Sequence, residues 1–291
     1  MPRFALSLAL LFTVIFSVSF QIFAQEAVKK EYVKIILIDD TELTGTILSQ
    51  DSTSIELLTM SNLNFMIKRS QISGIKVITD QIIKDVYFPE DPNQTRLLFA
   101  PTAKPLKAGK GYFALYELVF PFLGYGVGDF LTLSGGMTLF PGAETQILYL
   151  APKATLYNTQ KFSFATGVIH FTPTSNASLS GDEKAGIIYG VGTYSAERVD
   201  VTGGFGWAYA GEEITNKPIV MGAIELRASR YVKVIAETWF PPDMEVGVGG
   251  LGVRIFGRNF AGDIAFLYLI GQDAGSFPLI PWVSLVYNFG N

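Results

Sequence analysis

Val283-Ser284-Leu285-Val286-Tyr287-Asn288-Phe289 stands just before the closing Gly290-Asn291 of a chain of 291 residues. Side chains alternate between the two faces of a strand, so Val283, Leu285, Tyr287 and Phe289 share one face, and Ser284 and Asn288 share the other. The apolar face runs unbroken to its closing aromatics. Upstream the same alternation recurs in about twelve segments of ten or so residues, starting near Arg96, Tyr112, Phe130, Leu148, Phe162, Ala185, Val199, Ile219, Tyr231, Val246, Phe260 and Pro278. Ten residues is the length a tilted strand needs to cross a bilayer. Short connectors such as Asn158-Thr159-Gln160 and Gly257-Arg258-Asn259 alternate with longer polar ones such as Pro173 to Lys184 and Gly211 to Lys217.

Composition agrees with a membrane solvent. Charged residues make up 16% of the chain, against about 25% in ordinary soluble domains. With a formal net charge of −4 there is no basic field to attract nucleic acid. Arg3, the apolar run Phe4 to Phe20 and the small residue Ala24 before Gln25 read as a cleaved secretory signal. There is no cysteine, which removes disulfides, thiolate metal sites and thiol catalysis.

An apolar strand ending in aromatics at the C-terminus of an exported chain resembles the final strand of bacterial outer-membrane β-barrels. That resemblance implies placement in outer-membrane lipid and an assembly machinery that reads Val283, Leu285, Tyr287 and Phe289. An even strand count puts both ends of the barrel chain on the periplasmic side. Tyr112, Phe120, Phe140, Phe171 and Phe240, near segment ends, are expected in the aromatic girdles of such barrels.

The stretch 32–79 reads differently. Its short β-branched runs are split by turns at Asp39-Asp40, Gln50-Asp51 and Ser61-Asn62, and Gly45 inside the second run suggests a sharp bend. Strand, acidic turn, Leu43-x-Gly45-x-Ile47, aspartate turn, Ile55-x-Leu57, Ile67-Lys68-Arg69 and Ile72-x-x-Ile75 resemble the Sm-like and SH3-like small barrels. The expected fold is therefore all-β. A signal peptide at 1–24 precedes a five-stranded periplasmic β-domain at 32–79, a linker at 80–95 and an antiparallel up-and-down transmembrane barrel of about twelve strands at 96–291.

A charge on the lipid face at mid-depth costs roughly 2–4 kcal/mol. Isolated strand charges are therefore expected to point inward: Arg96, Lys104, Glu117, Lys153, Glu225, Arg227, Lys233, Glu237, Arg254 and Asp263. Their mixed signs either pair and plug the interior or line a narrow aqueous path. No cofactor or metal is expected. Asp182-Glu183 and Glu212-Glu213 lack partner ligands at fixed spacing, and Gly247-Val248-Gly249-Gly250 precedes no helix that would make it a phosphate loop. The one histidine, His170, stands two residues before Thr172, with Ser175 and Asn176 beyond. The spacing invites comparison with outer-membrane phospholipases, which place a serine where Thr172 stands. The first functional expectation is a narrow channel or passive transporter for small polar solutes. The alternatives are a non-conducting barrel whose periplasmic domain docks an envelope protein and, third, a lipid-acting enzyme.

Overall fold

The computed structural model describes residues 31–78, 82–83, 86–174, 184–242, 246–271 and 279–290. The expected signal peptide lies outside them. Contacts divide the chain into two units, up to Val86 and from Tyr87 onward.

The first unit carries a five-stranded sheet: β1 (Val33–Leu37), β2 (Glu42–Gln50), β3 (Ser54–Thr59), β4 (Asn64–Lys68) and β5 (Ile72–Val77). The order is β4-β3-β2-β1-β5, so the last strand returns beside the first. Its core is Val33, Ile35, Ile55, Leu57 and Ile67. A Cβ on Gly45 would run into the Leu58 carbonyl, so glycine there lets β2 and β3 approach. The β2–β3 turn is organised by Asp51, whose carboxylate accepts the Thr53 N–H at 2.6 Å and the Ser54 N–H at 2.7 Å.

The second unit is a closed antiparallel barrel with twelve wall strands among the described residues. They are β6 (Gly111–Tyr116), β7 (Phe120–Val127), β8 (Leu131–Met137), β9 (Gln146–Leu150 and Lys153–Asn158), β10 (Phe162–Thr174), β11 (Ala185–Ser195), β12 (Val199–Ala210), β13 (Ile219–Ser229), β14 (Val232–Phe240), β15 (Gly247–Phe256), β16 (Phe260–Ile270) and β17 (Ile280–Phe289). The barrel closes where β17 pairs with β6, Tyr287 opposite Phe113 and Phe289 opposite Gly111. β9 is broken at Ala151-Pro152, but the Ala151 N–H reaches the Ser134 carbonyl and the Pro152 carbonyl takes the Val168 N–H, so the wall stays hydrogen-bonded. Connections at the end where β6 begins are short (128–130, 159–161, 196–198, 230–231, 257–259). Those at the far end are longer, except for 117–119.

Twelve strands result, but not the twelve that periodicity suggests. The segment opening at Arg96 is not a strand. It belongs to an irregular strap, residues 88–110, that enters the barrel and turns at Arg96–Pro101 before returning to β6. The strand missed in its place is β7. Its Pro121, Gly124 and Gly126 read as breakers, yet a Cβ on Gly124 would sit 2.5 Å from the Tyr112 ring. One on Gly126 would collide with the Lys107 carbonyl of the strap.

Alternation decides what each wall strand shows to its two sides. On β17, Val283, Leu285 and Tyr287 are exposed, while Ser284, Val286 and Asn288 are buried. On β15, Leu251, Val253 and Ile255 are exposed opposite buried Gly250, Gly252 and Arg254. Ile264 and Phe266 on β16 follow suit. A continuous outward belt of this kind has no place in water and matches the apolar band of a membrane barrel. Three of the expected girdle aromatics are not in it: Tyr112 is buried at 3% exposure, and Tyr112, Phe120 and Phe171 all line an internal chamber. Phe140 and Phe240 are exposed.

Ile264→Arg on the lipid side should cost about 2–4 kcal/mol, read as a lower temperature for loss of the heat-modifiable folded band on gels. Asp263, its inward neighbour, tests a different set of contacts. In the small sheet, the Thr53 backbone N–H, then its hydroxyl and the Ser54 N–H, hold the Asp51 carboxyl down to about 2. A depressed carboxyl stabilises the fold above its ordinary range near 3.8 and loses that contribution as pH falls toward 2. Asp51→Ala should speed protease cleavage within 32–78 at pH 7 and flatten the acid sensitivity of that cleavage.

Candidate functional site, a strapped lumen beneath an aromatic chamber

An irregular segment inside a barrel carries backbone groups that no ladder satisfies, and each must find a partner. The wall supplies them as charges. The Arg254 guanidinium, 0% exposed, donates to the carbonyls of Asn93 (3.0 Å), Arg96 (3.1 Å) and Leu97 (2.6 Å). It also pairs with Asp263 at 2.6 Å and Asp91 at 3.2 Å. The Lys153 ammonium gathers the carbonyls of Thr95, Thr102 and Lys104 at 2.7–2.9 Å, together with the Thr95 hydroxyl at 2.6 Å. Glu237 does the reverse. Its carboxylate accepts the N–H groups of Leu98, Phe99 and Ala100 at 3.0–3.4 Å and the indole N–H of Trp239.

Ion pairs complete the clamp. Lys233 bridges Glu225 and Asp91, both at 3.0 Å. Arg96, on the strap itself, pairs with Asp263 at 2.8 Å. Arg96, Lys233 and Arg254 thus face Asp91, Glu225 and Asp263, three charges of each sign. Lys104, also on the strap, pairs with Asp200 at 2.8 Å. Lower down, Arg227 donates to the Pro89 carbonyl and lies over the Phe256 ring. Around this polar frame the strap's Leu97, Leu98, Ala100 and Ala103 are fully buried with Ala165, Val191 and Ile235 of the wall.

The structure therefore brings together Lys153, Glu225, Lys233, Glu237, Arg254 and Asp263 from the wall with Arg96 and Lys104 from the strap; Arg227 holds the strap's entry. Glu117 stands apart. It lies in the far-end turn between β6 and β7 with a positive φ of 50° and accepts the Val283 N–H. Sequence reasoning missed Asp91, Asn93 and Asp200. Asp91 sits among Pro89, Glu90 and Pro92, where it reads as a linker residue. Asn93 exchanges amide hydrogen bonds with Asn288 of the terminal strand.

Between the strap and the far end of the barrel lies a chamber of about 270 Å³. Arg96, Phe99 and Pro101 of the strap line it, and Phe120, Thr138 and Ile147 carry it to the far end. Tyr112, Phe122 and Tyr149 form a stacked row at 6.1 and 5.6 Å. Tyr116 stacks on Trp282 at 5.8 Å.

His170 is elsewhere. Its neighbours Ile169 and Phe171 line the chamber, so His170 points to the outer face. There it meets the Tyr209 hydroxyl at 2.6 Å through Nδ1 and the Thr172 hydroxyl at 2.9 Å through Nε2. Ser175, Asn176, Asp182 and Glu183 lie outside the described residues.

No known protein family's sequence profile matches the chain, and no curated protein does. Among solved structures, the chain is similar to a KdgM porin in complex with disordered oligogalacturonate. Identity is 9%, 62% of this chain and 98% of that one are covered, and the TM-score is 0.47. It is also similar to a loop L8 deletion mutant of OmpT, an outer membrane protein of Vibrio cholerae. There identity is 13%, with 89% of this chain and 96% of that one covered and a TM-score of 0.32.

Removing one partner of a buried charge network leaves the others uncompensated, at a cost of about 3 kcal/mol or more. Arg254→Met should accordingly lower the unfolding temperature of the barrel. It should also speed amide hydrogen exchange at residues 96–103 more than in β11 or β12. Equal acceleration everywhere would mean that Arg254 holds the wall and not the strap.

Proposed function

We propose that the protein is an outer-membrane channel for small solutes, shut at its waist by the strap and opened when the strap shifts. The observation that supports this reading most is the layering of the interior. A chamber reaching the far end stands directly on a segment that is irregular, single and held by side-chain contacts. A wall strand is fixed by ladder bonds on both edges. The strap is fixed by Lys153, Glu237 and Arg254 together with the ion pairs, and these can be exchanged for water as a group. A resident segment built to stay would more economically be a filled core of apolar side chains, which is often as stable as buried ion pairs or more so.

The outward belt, the short connections beside the chain ends and the exposed Val283, Leu285 and Tyr287 support placement in the outer membrane. They also support reading of the terminal strand by the assembly machinery. On that orientation the unit before Val86 is periplasmic. Its bent sheet, with β1 paired to both β2 and β5, supports the Sm-like or SH3-like reading and a role in docking a periplasmic envelope protein.

The full burial of Leu97, Leu98, Ala100 and Ala103 favours a second reading, a barrel that never conducts. A reversible tether separates the two. The Ala103 N–H donates to the Thr193 hydroxyl at 2.9 Å, so Ala103→Cys with Thr193→Cys can cross-link strap to wall in a chain that otherwise has no cysteine. In planar bilayers the reduced variant should show discrete conductance steps and the oxidised one none. Steps of equal size and frequency in both states would show that solute passes without strap movement. Silence of both, and of the unsubstituted protein across voltages and salts, would establish the closed barrel.

A further inference from the structure

The chamber lining is aromatic and carries charge of one sign. Phe99, Tyr112, Tyr116, Phe122, Tyr149 and Trp282 contribute rings, Arg96 and Lys153 contribute cations, and among the described residues no carboxylate lines it. The Lys153 ammonium meets only neutral oxygens. Arg96 commits Nη1 to the Leu97 and Leu98 carbonyls and to Asp263, yet among the described residues its Nε–H is buried with no acceptor. The indole N–H of Trp282 is likewise buried without one. These two idle donors belong to one column, since Arg96 lies 5.1 Å over the Tyr116 ring and Tyr116 stacks on Trp282.

Buried donors without acceptors are uncommon in folded proteins, because desolvation is paid with nothing returned. Here the two side chains that carry them line a cavity with room for an acceptor. Rings dominate the lining, and its Thr95, Thr132, Ser134 and Thr138 hydroxyls are already engaged with protein groups, which favours an apolar or aromatic body over a polyhydroxylated one. The unbalanced Lys153 and the second cation, Arg96, favour an anionic acceptor.

We propose that the chamber binds a small carboxylic acid with an aromatic or apolar body, its ring among Tyr116, Phe122 and Tyr149 and its carboxylate toward the Arg96–Trp282 column. The proposal rests on the reading of the barrel as a solute channel and names the class of solute.

The test uses the full chain in detergent micelles, with phenylacetate, phenylacetamide and gluconate as probes in isothermal titration. Phenylacetate should bind saturably, and the amide and gluconate at least about tenfold more weakly, the worth of one charge-assisted hydrogen bond. Phe122→Leu, checked for folding by heat-modifiable gel mobility, should weaken phenylacetate by a comparable factor while retaining the preference for acid over amide. Equal binding of acid and amide would overturn the carboxylate site. Tighter binding of gluconate would overturn the apolar body, and absence of saturable binding by folded protein would overturn both. Conductance of the reduced tether variant without block by phenylacetate would leave the channel standing and remove this inference. Saturable phenylacetate binding in a barrel that never conducts would do the opposite.

Discussion

A strap without regular secondary structure must have its backbone hydrogen-bonded inside a barrel, and the rest of the interior follows from that requirement. Water or a β-ladder would ordinarily serve those groups. Here wall side chains do it, and three of them carry most of the load. Lys153 and Arg254 collect carbonyls, and Glu237 collects the N–H groups of Leu98, Phe99 and Ala100. Hydrogen bonds to charged groups are worth about 1.5–3 kcal/mol each, enough to offset part of the desolvation of ions at or below 3% exposure. The remaining charges then fall into pairs, because any left single would have no solvent to stabilise it.

The same requirement explains why the wall charges were legible in the sequence and the strap was not. Lys233, Glu237, Arg254 and Asp263 sit at fixed parity in strands whose other face is continuously apolar, so alternation alone orients them. Arg96-Leu97-Leu98-Phe99-Ala100 has the composition of a wall strand, but its Leu97, Leu98 and Ala100 face a protein core and not lipid. Hydrophobicity cannot tell the two solvents apart. Asp91 was invisible for a related reason: a carboxylate between prolines looks like a solvated linker until the cations that surround it, Lys233 and Arg254, are placed by folds of chain more than a hundred residues away. Tyr112, Phe120 and Phe171 mislead in the same way, since an aromatic at a strand end suits a girdle as well as an internal chamber.

The glycines show how closely wall and strap are fitted. Gly126 lies where the returning strap crosses β7, and any Cβ there would meet the Lys107 carbonyl. One of the features that hide β7 from a sequence reading is thus a consequence of the strap. A strand with an ordinary alternating pattern at this place would be easier to recognise and could not hold the segment beside it. The two misreadings, an extra strand at Arg96 and a missing one at Phe120, are linked through Gly126.

The interior then divides by solvent. Below the turn at Arg96–Pro101 most of the ions are buried and paired in sign. Above it stand stacked rings, two idle N–H donors and space. Displacing the strap would expose the matched ions together, turning a dry polar waist into a wetted one lined by both signs. Such a path would discriminate little between small cations and anions, because paired signs cancel the field that a ring of like charges would set. Selection would then fall to the chamber above, where the described lining has cations without carboxylates and an apolar surface that disfavours strongly hydrated solutes.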